Sequence, residues 1–141
     1  MNQMKNAVMT APPEQLQLML YDGAIRFAGQ ARTAMEQKQY DASCELLLKA
    51  QRIVLELQNG LRPEVNPSLC GQMAALYQFI YRRLVDANMQ RDAAAIDDAL
   101  RILGHQRETW DLLIQKLREG SAAVTTVAMR PNEAASLSVR C

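Results

Sequence analysis

The chain has few of the residues that build metal, disulfide or catalytic sites. Its 141 residues include one histidine, one tryptophan and three cysteines, and aromatic residues make up 5% of the total. Cys44, Cys70 and Cys141 are odd in number and follow no close-spaced pattern of metal ligands. No Glu-x-x-His pair, glycine-rich phosphate loop or nucleophile elbow is present. We therefore expect no catalytic residue, no cofactor and no metal site, and we predict that the protein is not an enzyme.

Long apolar runs and charge of one sign are also lacking. The longest uninterrupted apolar run extends from Met73 to Tyr77, whereas a helix that spans a membrane needs about 20 apolar residues. No apolar segment follows Lys5, so a cleaved secretory signal is not expected. The formal net charge is +1, which favours neither nucleic acid nor an anionic membrane as a partner. We predict a cytoplasmic protein without membrane insertion.

What the chain does contain favours helix throughout. Ala, Leu, Gln and Arg are plentiful, and apolar residues recur at steps of three and four. We predict an all-α protein, an antiparallel up-down four-helix bundle of residues 13–119 between an N-terminal arm (residues 1–12) and a disordered C-terminal tail (residues 120–141). The four helices are expected to start near Pro13, Asp41, Pro67 and Asp92. The first should end near Lys38 and the last at Gly120, with Asp41, Asn66 and Asp92 as N-caps.

Each predicted helix carries an apolar stripe that we expect to face the core. On the first two helices these residues are Leu16, Leu20, Gly23, Ala24, Phe27, Ala31 and Ala34, then Leu46, Leu47, Ala50, Ile53, Val54, Leu57 and Leu61. On the last two they are Leu69, Met73, Leu76, Tyr77, Ile80, Leu84 and Ala87, then Ile96, Leu100, Leu103, Trp110, Ile114 and Leu117.

A second set of apolar residues lies off these stripes, and we predict that it forms a groove for a partner. On the first two helices this set is Leu18, Tyr21, Ile25, Cys44, Leu48 and Leu55. Smaller extensions on the last two helices are Tyr81, Val85, Ile102, Leu112 and Leu113. A central helix that is apolar all round would explain the first helix alone, but a four-helix bundle cannot centre two helices at once. An exposed apolar groove suits an amphipathic partner segment.

The single histidine offers a different interpretation. His105 is predicted to point away from the core, and an exposed histidine on a four-helix bundle is typical of a phosphotransfer domain. Its neighbours are Gly104, Gln106, Arg107 and Glu108, whereas such sites place a lysine and small glycines beside the histidine. We therefore favour a solvated surface histidine over a phosphotransfer module.

Three blocks of sequence resemble one family in order and spacing. The first contains TAPPEQL at Thr10–Leu16 and LYDGA at Leu20–Ala24. The second is LYQFIYRRLVDAN at Leu76–Asn88, and the third is RETW at Arg107–Trp110. Together they cover about residues 7–117, and the chain resembles the flagellin-specific export chaperones of the FliS family.

The resemblance implies a function and a set of partners. Proteins of this family bind the disordered C-terminal segment of flagellin along the outside of the bundle, keep it monomeric, and deliver it to the flagellar export apparatus. An adaptor or chaperone for another secreted partner would need the same groove and stays open as an alternative.

The resemblance also implies an N-terminal arm, usually carrying a tyrosine, that folds over the groove. Here only Met4, Val8 and Met9 are available upstream of Thr10, so we expect weak self-capping and weak self-association through the groove.

Overall fold

Four helices make up the described part of the chain. The computed structural model describes residues 13–124, with side chains up to residue 120. The helices are α1 (Pro13–Glu36), α2 (Tyr40–Asn59), α3 (Pro67–Gln90) and α4 (Ala93–Val124), and no strand occurs among these residues. The all-α prediction is confirmed. The predicted arm, with Met4, Val8 and Met9, lies outside the described residues, as do residues 125–141 of the predicted tail with Cys141.

The helices form an antiparallel ring in which each packs against two neighbours. α1 and α3 each contact both α2 and α4. α1 and α4 are antiparallel, because residues later in α1 contact residues earlier in α4. The contacts pair Glu14 with Trp110, Asp22 with Arg107, and Arg32 with Asp97. The same order holds between α3 and α4, where Met73 contacts Gln106 and Arg83 contacts Asp98. The predicted four-helix bundle is therefore confirmed.

Side-chain caps start the last two helices, as predicted. Asn66 adopts an extended backbone conformation, and its Oδ1 accepts a hydrogen bond from the Leu69 amide at 3.1 Å. Pro67 follows, at a position where a missing amide proton costs nothing. Asp92 Oδ1 accepts from the Ala94 amide at 3.0 Å, so both residues satisfy amides that the helix itself leaves unpaired.

Removing the cap at Asn66 should weaken α3 specifically. We expect Asn66→Ala to lower the free energy of unfolding by about 1 kcal/mol, because the Leu69 amide loses its acceptor. Chemical denaturation followed by circular dichroism measures this difference. Asn59→Ala, at an exposed position at the end of α2, is the control and should change little. Equal stability of Asn66→Ala and the wild type would show that the cap contributes nothing.

Three predicted helix ends are wrong. α2 begins at Tyr40 with Gln39 as N-cap, so Asp41 lies within the first turn and does not cap the helix. α1 ends at Glu36, and Lys38 turns the chain with a left-handed φ of 60°. α4 continues past Gly120 to Val124, because a single helical glycine costs only about 1 kcal/mol and good helix formers surround it.

The core combines alanines with large apolar and aromatic side chains. Ala24, Ala28 and Ala31 are fully buried, and such small residues allow neighbouring helices to approach closely. The fully buried large side chains that were predicted to face inward are Leu47, Val54, Leu57, Tyr77, Ile80, Leu84, Ile96 and Leu103. Leu69 was predicted to belong to the core but is 42% exposed, because it lies in the first turn of α3 at the end of the bundle.

Ion pairs hold α4 to both of its neighbours. Arg107 Nε lies 2.6 Å from Asp22 Oδ1 on α1, and Arg83 Nη2 on α3 lies 3.0 Å from Asp98 Oδ2. Arg32 also pairs with Asp97, and this hydrogen bond lowers the pKa of the Asp97 carboxyl. All of these groups are partly exposed, so water weakens the attraction and the pairs contribute little to the stability of the bundle.

Candidate functional site

Two exposed leucines on α2 form the centre of the candidate partner site. Leu48 and Leu55 are seven positions apart on one side of the helix, and each is 41% exposed. Cys44, one turn before Leu48, is half-buried with a free thiol. We call Cys44, Leu48 and Leu55 the α2 surface. The two leucines lie off the core stripe as predicted, and their role in binding stays a prediction.

Leu18 and Tyr21 need a correction, because both are buried. Their exposed fractions are 8% and 1%, and Tyr21 belongs to the central core cluster. Tyr21 faces the interior of the bundle, where its hydroxyl meets that of Tyr77 on α3. Ile25 is half-buried and packs against the same core. The predicted groove therefore does not extend across α1 through Leu18 and Tyr21.

The buried tyrosine forms a polar network across the bundle. The hydroxyls of Tyr21 on α1 and Tyr77 on α3 are 2.6 Å apart, and Gln17 Nε2 donates to both at 3.5 and 3.3 Å. Burial raises the pKa of Tyr21 and of Tyr77, so both phenols stay neutral. No sequence pattern pairs two residues 56 positions apart, and this network was missed for that reason.

A second apolar depression lies between α3 and α4. It has a volume of about 490 Å³ and is lined by Leu76, Arg101, Ile102, His105 and Gln106. We call these five residues the α3/α4 groove. Apolar side chains also remain exposed elsewhere on these two helices, at Leu69, Phe79, Leu112 and Leu113. His105 is exposed, as predicted.

Two kinds of site can be assessed directly in the described residues. Among residues 13–120, no group of three or more His, Cys, Asp or Glu side chains is arranged to hold a metal ion. None of the helices in the described range combines the length and the apolar character needed to cross a membrane. What the described surface offers instead is apolar contact area on α2 and between α3 and α4.

Comparison with known proteins gives consistent matches over most of the chain. The sequence model of the family described as "Flagellar protein FliS" matches residues 1–117. The flagellar secretion chaperone FliS of Bacillus subtilis is 36% identical over 123 residues, covering 85% of this chain and 91% of that protein. The FliS of Salmonella typhimurium is 36% identical over 113 residues, which cover 79% and 84%. The chaperone FliSB of Pseudomonas aeruginosa is 33% identical over 104 residues, which cover 74% and 82%.

The family-model match spans the three sequence blocks that carry the resemblance, and the described residues of these blocks lie in α1, α3 and α4. The chain belongs to the FliS family of flagellar secretion chaperones.

Proposed function

We propose that the protein binds the disordered C-terminal segment of flagellin in the cytoplasm, prevents its premature polymerisation, and supports its delivery to the flagellar type III export apparatus. The observation that carries this proposal is the pair of exposed leucines on α2, Leu48 and Leu55, in a member of a family of flagellar secretion chaperones. A monomer whose amphipathic segment is covered cannot use that segment to polymerise.

The geometry of the α2 surface suits an amphipathic helix. Residues 44, 48 and 55 follow the spacing of one helix side, so they present a straight apolar line to a partner helix laid along α2. The loops at both ends of α2 are mostly exposed, so a partner segment can continue beyond this line in either direction. This arrangement favours a long helical segment over a globular ligand.

The energetics require contacts beyond α2. Full burial of a leucine side chain contributes roughly 1.5–3 kcal/mol, and Leu48 and Leu55 still have 41% of their surface exposed. Each can therefore add about 1 kcal/mol, whereas ordering a disordered segment costs about 2–5 kcal/mol or more. We infer that the flagellin segment contacts further surface on the bundle, with the α2 surface as one of several anchors.

A titration tests the proposal. A fluorescent peptide of the flagellin C-terminal region is titrated with the full chain and followed by anisotropy, with a peptide of the same composition in scrambled order as the control. We expect saturable binding of the native-order peptide and a gain in its helicity by circular dichroism. Equal binding of both peptides would contradict the proposal and favour a different secreted partner, to be identified by co-purification from cells that are building flagella.

A further inference from the structure

The α3/α4 groove is separate from the α2 surface and has its own chemistry. Its lining comes from α3 and α4 only, whereas Cys44, Leu48 and Leu55 lie on α2. Leu76 and Ile102 are half-buried and pack against the core, so they form an apolar floor. Gln106 is half-buried beside them, with its Nε2 atom 3.8 Å from Met73 Sδ.

One edge of the groove carries a guanidinium and an imidazole, which both can donate hydrogen bonds to a carboxylate. Arg101 and His105 are one turn apart on α4, and both are exposed. No carboxylate is found among the described residues that line the groove. The groove therefore combines an apolar floor with an edge that attracts negative charge.

The charge of Arg101 is available to a ligand. Its Nη2 lies 3.6 Å from Asp98 Oδ1, but Arg83 holds the same carboxyl more closely, at 3.0 Å. The Asp98 charge is thus shared by two arginines, and the Arg101 side chain is 73% exposed. An incoming carboxylate can pair with Arg101 without removing Asp98 from Arg83.

We propose that the α3/α4 groove is a second docking site, and that it binds an amphipathic helix of a partner protein whose apolar stripe is bordered by carboxylates. The apolar stripe of that helix lies on Leu76 and Ile102, and its acidic border faces Arg101 and His105. Because the groove does not include the α2 surface, a ligand of the groove and a ligand of the α2 surface can be distinguished by competition. The inference goes beyond the proposed function, and either can fail alone.

The test uses two designed helical peptides of about 20 residues with the same leucine stripe. One has Glu at the borders of the stripe and the other has Lys. We expect the full chain to bind the Glu peptide at least about tenfold more tightly, measured by fluorescence anisotropy at low salt. The double variant Arg101→Glu/His105→Glu should lose at least about tenfold in affinity for the Glu peptide. Arg52→Glu, an exposed arginine on α2, is the matched control and should bind as the wild type does.

Several outcomes would overturn the proposal. These are equal affinity for the two peptides, an unchanged affinity in the double variant, an equal loss in Arg52→Glu, or displacement of the Glu peptide by a saturating flagellin C-terminal peptide. The last outcome would assign the groove to the path of flagellin. The melting temperature of each variant is measured as well. If the double variant melts early, Arg101→Ala replaces it, and we again expect a loss of affinity for the Glu peptide.

Discussion

Leu48→Asp is expected to weaken binding of the flagellin C-terminal segment by about tenfold to a hundredfold, with little change in the melting temperature. The wild-type side chain is 41% exposed, so an aspartate at this position can turn its carboxylate to water in the free protein. In the complex the same carboxylate would lie under the partner helix, where it is desolvated and unpaired. The lost apolar contact and this penalty together correspond to about 1.5–3 kcal/mol of binding free energy. Anisotropy titrations and thermal melts measure the two quantities separately.

Neighbouring positions on α2 supply the controls for Leu48. Leu47 is fully buried, so Leu47→Ala should lower the free energy of unfolding by about 2–5 kcal/mol. Ala42→Asp adds the same charge as Leu48→Asp at an exposed position and should leave binding unchanged. If Leu48→Asp instead melts as early as Leu47→Ala, Leu48 belongs to the core. If its affinity equals that of the wild type, the partner does not use the α2 surface.

Removing either hydroxyl of the buried tyrosine pair should destabilise the bundle. We expect Tyr21→Phe and Tyr77→Phe each to lower the free energy of unfolding by about 1–3 kcal/mol, since each leaves the opposite phenol buried without its 2.6 Å partner. The double variant should lose clearly less than the sum of the two, because the hydroxyl–hydroxyl bond can be lost only once and Gln17 is only half-buried. Chemical denaturation of the four proteins gives this double-mutant cycle.

A third tyrosine serves as the control for this cycle. Tyr40 is half-buried, and its ring lies 4.0 Å from the Arg91 guanidinium, a contact that does not need the hydroxyl. Tyr40→Phe should therefore leave stability nearly unchanged. Strictly additive losses at Tyr21 and Tyr77 would show that the two hydroxyls do not depend on each other, and the network would then have no role in specifying the core.

The expectation that apolar residues off the core stripes stay exposed holds for two leucines on α2 and fails on α1, and the reason is geometric. Leu48 and Leu55 lie off the core stripe of α2, and they are exposed in the structure. Leu18 and Tyr21 lie off the predicted stripe of α1 by the same criterion, yet they are buried. Helical periodicity assigns each residue an angle around its helix, but it does not say how many neighbouring helices cover that angle. On α1 the side that carries Tyr21 faces the core and Tyr77 on α3, so this side chain is buried.

Features that depend on neighbours along the chain could be predicted from the sequence. The spacing of apolar residues predicted the helices and the inward stripes of α2 and α4. Hydrogen bonds within a few residues account for the caps at Asn66 and Asp92. The three sequence blocks likewise carried the family resemblance, which the comparisons confirmed.

Features that depend on contacts between distant segments became visible only in the folded protein. Tyr21 and Tyr77 are 56 positions apart in the sequence but pair across the bundle, and the α3/α4 groove is lined by both Leu76 and Ile102. The side chains that stay exposed on α2 are those that no neighbouring helix covers. The physical reason is that burial is a property of the packed assembly: a side chain leaves water only when another element is placed over it, and local sequence does not encode that placement.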